Sequence, residues 1–144
     1  MEKGESEVNV EISNEKSVIR TFQDLDVYKN LYRAMVLVHQ KVAPLLPREE
    51  KYDLVSQIMR ASKAAPALVA EGFAKRYQIR QWRKYLNDAK GESNEMIHHL
   101  TVCIDLYTAK IDVDPCKSVI KLYDVSCRQM TRLGQSWQDF HNNK

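Results

Sequence analysis

The stretch from Leu86 to Tyr107, LNDAKGESNEMIHHLTVCIDLY, decides the fold. Its apolar and small side chains recur at alternating intervals of three and four residues, which places them on one face of an α-helix. These residues are Leu86, Ala89, Ser93, Met96, Leu100, Cys103 and Tyr107. Sustained alternation of this kind is typical of helices that pack at small crossing angles. It predicts a long helix from about Tyr77 to Ala109.

The same spacing continues toward the C-terminus and predicts another long helix, from about Pro115 to Phe140. Asp114 followed by Pro115 is a suitable helix start, because aspartate caps and proline fits the first turn. The predicted inward residues are Val119, Tyr123, Ser126, Met130, Leu133, Trp137 and Phe140.

Two further helices are predicted on the N-terminal side. One runs from about Asp26 to Ala43, where prolines follow; its predicted inward residues are Tyr28, Leu31, Tyr32, Met35, His39 and Val42. The other runs from about Arg48 to Ala70, with Gly72 as a break at its end; its predicted inward residues are Leu54, Ile58, Ala61, Ala65 and Leu68 or Val69. Pro66 inside this helix either shapes packing against a neighbour or opens a binding groove.

The predicted fold class is therefore all-α: an antiparallel up-down four-helix bundle over residues 22–144, with long third and fourth helices. Residues 1–21 are predicted to be a flexible acidic arm, because residues 1–16 hold five Glu and two Lys. Several apolar residues fall outside the predicted seams and favour assembly into a homo-oligomer. They are Leu37, Val38, Ile79, Ile97, Ile104 and Leu106.

Composition narrows the class of protein. With 144 residues and 44% hydrophobic content, one globular domain is expected, and no apolar run is long enough to span a bilayer. Three cysteines without a CxxC motif suit a reducing compartment, so we predict a cytoplasmic protein. The net charge is +3 although the N-terminal arm is acidic, so the body of the chain is basic. Such a charge permits a phosphate-bearing partner without requiring one.

Catalytic motifs are not evident. Glu95 and His98 have the Glu-x-x-His spacing of di-iron bundles, but such a site needs a second pair and further inward glutamates. The adjacent His98 and His99 point in different directions on a helix. Cys103 fits a core position, and neither a nucleophile elbow nor a phosphate-binding glycine loop is present. We predict a protein that is not an enzyme and has no cofactor and no metal.

The stretch from Lys75 to Tyr85, KRYQIRQWRKY, is the candidate binding site. Arginine can donate two parallel hydrogen bonds to phosphate oxygens, and exposed tyrosine or tryptophan can stack on unpaired bases. The alternative is an ordinary solvated face with Trp82 and Tyr85 in the core. The candidate nucleic-acid-binding residues are Lys75, Arg76, Arg80, Arg83 and Lys84, most of which align as a ridge on the predicted third helix; Arg48, Arg60 and Lys63 are possible extensions.

Three ordered motifs in residues 22–140 carry a family resemblance. They are Phe22–Tyr28 (FQDLDVY), Gln57–Ser62 (QIMRAS) with Pro66 and the Ala70–Gly72 run AEG, and Trp82–Gly91 (WRKYLNDAKG) with Glu95. In these three motifs the chain resembles the four-helix-bundle proteins encoded within intervening sequences of bacterial 23S ribosomal RNA genes. It departs from them in its longer acidic arm and in Ala67–Val69, where a run of small residues with Asn and Ile is more typical.

The resemblance implies a homopentamer with no known catalytic activity. The fold is also similar to the accessory variability protein of diversity-generating retroelements, a basic pentamer that binds nucleic acid and docks on a reverse transcriptase; residues 132–137 look like the end of its last helix. The expected function is binding of structured RNA or an RNA–DNA hybrid, with a reverse transcriptase as a possible partner. The alternative is a protein–protein scaffold ring that does not bind nucleic acid.

Overall fold

A computed structural model of the protein describes residues 18–143, which fold into four α-helices. The helices are α1 (Asp26–Leu37), α2 (Leu54–Ala74), α3 (Ile79–Tyr107) and α4 (Val113–Asn142). Most of the predicted acidic arm lies outside the described residues, and the structure does not test it. Within residues 18–143 there is no strand, and no helix there is both long and apolar enough to cross a membrane.

Each helix packs against two others, so the four form a bundle around one core. α1 packs against α2 and α4, and α3 packs against the same two helices. Over the described part of the chain, the diagonal pairs do not come into close backbone contact. The all-α class and the four-helix bundle are thus confirmed.

The core faces of α2, α3 and α4 follow the predicted spacing closely. In α3 every predicted inward residue from Leu86 to Cys103 is buried, and Trp82 extends the same face. In α4 the seam is buried as far as Met130, after which Leu133 and Trp137 are half-buried. Phe140, predicted to face inward, is 59% exposed because α4 extends past the packed region at its C-terminal end. In α2, Val69 rather than Leu68 is the buried residue of the pair.

The predicted inward face of α1 is confirmed in part: Leu31 is buried, as is Val42 in the segment after α1, but the rest of the buried face is shifted. Its buried side chains are Val27, Asn30, Leu31 and Ala34, while Tyr32 is 48% exposed. Asn30 can lie in the core because its amide donates a hydrogen bond of 2.8 Å to Gln129 Oε1 on α4. The rings of Tyr28 and Tyr32 instead contact each other, with centroids 5.9 Å apart.

The segment after α1 also differs from the prediction. The helix continues as a wider π-helical stretch, Val38–Val42, and then as the 3-10 turn Ala43–Leu45. Val38, predicted to lie outside the core, is fully buried there. Val38 follows the buried Val27, Leu31 and Ala34 at steps of four, three and four residues, so it continues the buried face of α1.

Several predicted helix ends are shifted. α2 begins at Leu54 rather than near Arg48, because Arg48–Glu50 form a separate 3-10 turn. Gly72 does not break α2, which continues unbroken through Pro66 and Gly72 to Ala74. α4 begins earlier than predicted, with Asp112 rather than Asp114 as its N-cap residue. At Gly72, α2 packs closely against Trp82 and Tyr85 of α3, so this glycine lies within the helix instead of ending it.

The buried hydroxyl of Tyr123 leads to a stability prediction. This oxygen has no hydrogen-bond partner within residues 18–143, and an unpaired buried hydroxyl costs about 1–3 kcal/mol. We expect Tyr123→Phe to keep or raise the free energy of unfolding, measured by urea denaturation. The matched control is Tyr107→Phe, which should lower it because the Tyr107 hydroxyl donates to Glu50. A clear loss of stability in Tyr123→Phe would contradict the prediction.

Candidate nucleic-acid interface

The candidate site is built on the tight turn between α2 and α3. The amide nitrogens of Lys75 and Arg76 donate to the carbonyl oxygens of Gly72 and Phe73, at 2.9 and 3.2 Å, and so end α2. The amide of Gln78 donates to the carbonyl of Lys75 at 2.9 Å before α3 begins. The turn therefore places the cations Lys75 and Arg76 beside the first turns of α3.

Close packing of α2 on α3 holds the turn in position. A Cβ atom on Gly72 would lie 2.5 Å from Tyr85 Cβ and 3.0 Å from Trp82 Cε3, so only glycine allows this approach. Trp82 is fully buried, and its ring contacts Phe73 edge-on with centroids 6.1 Å apart. Trp82 therefore anchors the turn and is not available to stack on a base. Its place in the core is the one that the solvated-face alternative predicted.

Lys75 and Lys84 lie on either side of Tyr85. The Nζ atoms of Lys75 and Lys84 are 5.0 and 5.5 Å from the Tyr85 ring centroid. Lys75 Nζ donates to the Tyr85 hydroxyl at 3.1 Å, which in turn donates to Glu71 at 3.0 Å. The hydrogen bond with Tyr85 raises the pKa of Lys75, so this side chain keeps its charge. Lys84 forms an exposed ion pair of 3.1 Å with Asp88.

Arg76 is held between two aromatic rings. Its guanidinium carbon is 3.9 Å from the ring centroid of Phe73 and 4.6 Å from that of Tyr77. Its Nη1 atom also donates to the Phe73 carbonyl at 2.9 Å. Arg76 is therefore a half-buried, fixed cation rather than a freely moving one.

The predicted ridge along α3 needs a correction. Arg76 lies in the turn and not on α3, since the helix begins at Ile79 rather than near Tyr77. Arg83 is turned toward α4, where its Nη1 lies 3.4 Å from the Gly134 carbonyl oxygen. Arg80 is exposed and makes no ion pair or hydrogen bond with any other described residue. The five cations thus surround the turn and the start of α3 instead of forming one straight line.

The possible extensions of the site lie elsewhere. Arg48 precedes α2 and Lys75 follows it, so roughly 30 Å of helix separates them at 1.5 Å per residue. Arg60 is neutralised by Glu92 and Glu95 of α3, at 3.1 and 2.6 Å. Burial alone would raise the pKa of Glu95, but hydrogen bonds from Arg60 and His99 outweigh it and lower that pKa. Lys63 is exposed on α2 beside Arg60.

The other side chains considered as metal ligands or nucleophiles, Glu95, Cys103 and Cys116, are held in ion pairs or in the core. Glu95 binds Arg60 and His99 rather than His98, and no cluster of metal-ligating side chains occurs within residues 18–143. Cys103 is buried in the core as predicted, and burial raises its pKa to about 12. Burial likewise raises the pKa of Cys116 to about 11.

Sequence reasoning missed an aromatic cluster beside the cations. Tyr77 of the turn contacts Trp137 of α4, with ring centroids 5.7 Å apart, and Trp137 contacts Phe140 at 6.2 Å. The sequence spacing placed Trp137 and Phe140 on a core seam. A usable signal was that the predicted fourth helix extends to Phe140, at the end of an antiparallel bundle where the predicted third helix starts near Tyr77.

The arrangement can bind an extended anion. Arginine and lysine donate charge-assisted hydrogen bonds to phosphate oxygens, and the aromatic rings offer faces and edges for stacking. Among curated proteins, no sequence matches the chain at a significant level. The sequence model of the 23S rRNA-intervening sequence protein family matches residues 23–132, which include α1, α2, α3, the first two-thirds of α4 and all five cations. The chain therefore belongs to the 23S rRNA-intervening sequence protein family.

Proposed function

We propose that the protein is a non-enzymatic, homo-oligomeric helical bundle that binds structured RNA. The binding site is the basic surface, defined as Lys75, Arg76, Arg80, Arg83 and Lys84. These side chains contact phosphates and do not read the base sequence. Membership of a family named for ribosomal RNA intervening sequences supports an RNA partner.

The observation that carries this proposal is the concentration of cations around one turn. All five residues of the basic surface lie between residues 75 and 84, while the neighbouring acids are Glu71 and Asp88. Glu71 and Asp88 are engaged by Tyr85 and Lys84, and no acidic side chain within residues 18–143 pairs with Arg80. A local excess of positive charge attracts the phosphate backbone at long range and holds it at contact.

Self-association and the antiparallel helix order belong to the same proposal. The connections between α2 and α3 and between α3 and α4 are only a few residues long, which favours antiparallel neighbours. Large apolar side chains are exposed on the single chain, among them Tyr52 at 87% and Leu106 at 65%. Burial of such side chains between copies is the usual reason for assembly. A pentamer is the state we propose.

Assembly and RNA binding are tested together by size exclusion with light scattering, run with and without a structured RNA at two salt concentrations. The proposal expects the mass of five 16.8 kDa chains, with an RNA-dependent shift at low salt only. A monomer would contradict the oligomer. A ring that ignores RNA at both salts would contradict the RNA-binding function.

The salt dependence of affinity gives a quantitative prediction. The logarithm of the association constant falls linearly with the logarithm of the salt concentration. For single-stranded RNA the slope would be about −3.5 if all five cations of one protomer contact phosphates, and about −1.4 if only Arg80 and Lys84 do. We expect a slope in this range or steeper, the latter where several protomers contact one RNA. Fluorescence anisotropy with a labelled RNA measures it. A slope near zero would mean that phosphates are not bound.

A scaffold ring that docks a partner polypeptide is the alternative function. The exposed apolar residues on the outside of the bundle favour it, including Tyr32 and Leu45. Such docking predicts an affinity that survives high salt, because apolar burial is not screened. A reverse transcriptase stays a predicted partner, and pull-down with the protein at high salt would test it.

A further inference from the structure

An exposed aromatic cluster covers the end of the bundle next to the basic surface. Tyr77 is 71% exposed and Phe140 is 59% exposed, with the half-buried Trp137 between them. Adjacent rings meet edge to face, at interplanar angles of 75° and 65°. Ser136, Trp137 and Phe140 also line a shallow cleft of about 200 Å³. Large aromatic surfaces in solvent usually mark a binding site.

Cations border this aromatic cluster on two sides. Arg76 lies over the Tyr77 ring, and its Nη2 is 3.3 Å from the Tyr77 hydroxyl. Arg83 reaches the carbonyl of Gly134, which is about one helical turn before Trp137 on α4. Arg80 is exposed on α3 between Tyr77 and Arg83 in the chain. The chain thus places phosphate-binding groups within about one helical turn of ring surfaces.

This juxtaposition matches the chemistry of an unpaired nucleotide. An unpaired base exposes its ring for stacking, and its phosphate lies one sugar away; in a duplex the base faces are hidden. A purely apolar partner would not use the arginines, and a duplex would not use the rings. Trp137 and Phe140 lie beyond residue 132, where the family match ends.

Building on the RNA-binding function proposed above, we propose that Tyr77, Trp137 and Phe140 form a stacking platform for unpaired bases of RNA. Arg76, Arg80 and Arg83 hold the phosphates of the same segment. The protein therefore prefers loops, bulges and single strands over uninterrupted duplex. This preference arises from stacking and is tolerant of base identity.

The test compares Trp137→Ala with Trp137→Phe on two probes: an oligouridylate of about ten nucleotides and a blunt RNA duplex of the same length. Trp137→Ala is expected to weaken oligouridylate binding on the order of tenfold and to leave duplex binding within about twofold. Trp137→Phe keeps a ring in place and should retain most of the affinity. Circular dichroism confirms that both variants are folded.

Intrinsic fluorescence supplies an independent readout. The chain has two tryptophans, and Trp82 is fully buried, so quenching by oligouridylate must come from Trp137. We expect quenching in the wild-type protein and none in Trp137→Phe. Phe140→Ala should also weaken oligouridylate binding without changing the duplex affinity.

Three results would overturn the platform. One is wild-type affinity for oligouridylate in Trp137→Ala. Another is a changed oligomeric mass in that variant, which would make the cluster a contact between copies. The third is quenching of Trp137 by an acidic peptide, such as residues 1–16 of this chain, but not by oligouridylate. The double variant Arg80→Glu and Lys84→Glu, which reverses two charges, tests the basic surface separately and should lose binding to both probes. The stacking platform can therefore fail while the proposed function stands.

Discussion

Reversing two exposed charges, in the double variant Arg80→Glu and Lys84→Glu, is expected to weaken RNA binding about 100-fold or more. Hydrogen bonds to charged groups contribute about 1.5–3 kcal/mol each, and the variant removes two and adds repulsion from the phosphates. Anisotropy titration of a labelled RNA at low salt measures the loss. The slope of affinity against salt should become shallower in the same titrations.

These two positions are preferable to Arg76 and Arg83 because they test charge with little effect on folding. Arg76 packs between Phe73 and Tyr77, and Arg83 contacts the Gly134 carbonyl, so glutamate there would also disturb packing. Arg80 and Lys84 are exposed; within residues 18–143 Arg80 has no ion-pair partner, and Lys84 contacts the exposed Asp88 and the ring of Tyr85.

A matched control exists on α4. Lys117→Glu with Lys121→Glu makes the same change in net charge at the same four-residue spacing on exposed positions. These lysines lie near the start of α4, whereas Gly134, which Arg83 contacts, lies about 25 Å further along that helix. The control should lose only a few-fold in affinity, through weaker long-range attraction. Equal losses in the two double variants would mean that net charge rather than the basic surface binds RNA.

Gly72→Ala is expected to destabilise the protein by about 1–2 kcal/mol and to lower its melting temperature by several degrees. The added Cβ would lie 2.5 Å from Tyr85 Cβ, which is fixed to the backbone of α3, so α2 and α3 must separate. Overpacking of this kind costs about 1–3 kcal/mol, and the better helix propensity of alanine offsets less than about 1 kcal/mol of it. Thermal and urea unfolding measure the change.

Gly91→Ala is the matched control and should have the opposite sign. Gly91 lies in the middle of α3, is exposed, and has no heavy atom within 4 Å of the position of an added Cβ. Alanine there should raise stability by about 0.5–1 kcal/mol, because glycine is costly inside a helix. If both substitutions changed stability by similar amounts in one direction, the close approach at Gly72 would not be the cause.

The predicted buried faces were correct where apolar spacing was strict and failed in α1, where Tyr28 and Tyr32 were counted as core residues. From Leu86 to Cys103 the predicted face of α3 is the buried face. In α1 the predicted face included Tyr28 and Tyr32, whereas Asn30 occupies the core through its bond to Gln129. A buried polar residue depends on a partner nearly a hundred positions away, and no local pattern reports that partner.

The candidate site was found in part. The five cations were all identifiable from one short stretch, and their phosphate-binding chemistry follows from residue type alone. Their arrangement was not identifiable, because the turn after Ala74 takes Arg76 off the helix and α4 attracts Arg83. The role of Gly72 was also misread, since its φ is not positive and only the neighbouring helix requires glycine there.

The sequence by itself determined the all-α class, the number of helices, the family and the residues that carry the positive charge. These depend on periodicity and composition, which are local along the chain. Tertiary structure alone decided which of those charges are compensated, as Arg60 is by Glu92 and Glu95, and which stay exposed, as Arg80 does. It also brought Tyr77 against Trp137, because contacts between residues far apart in sequence form only when the helices pack.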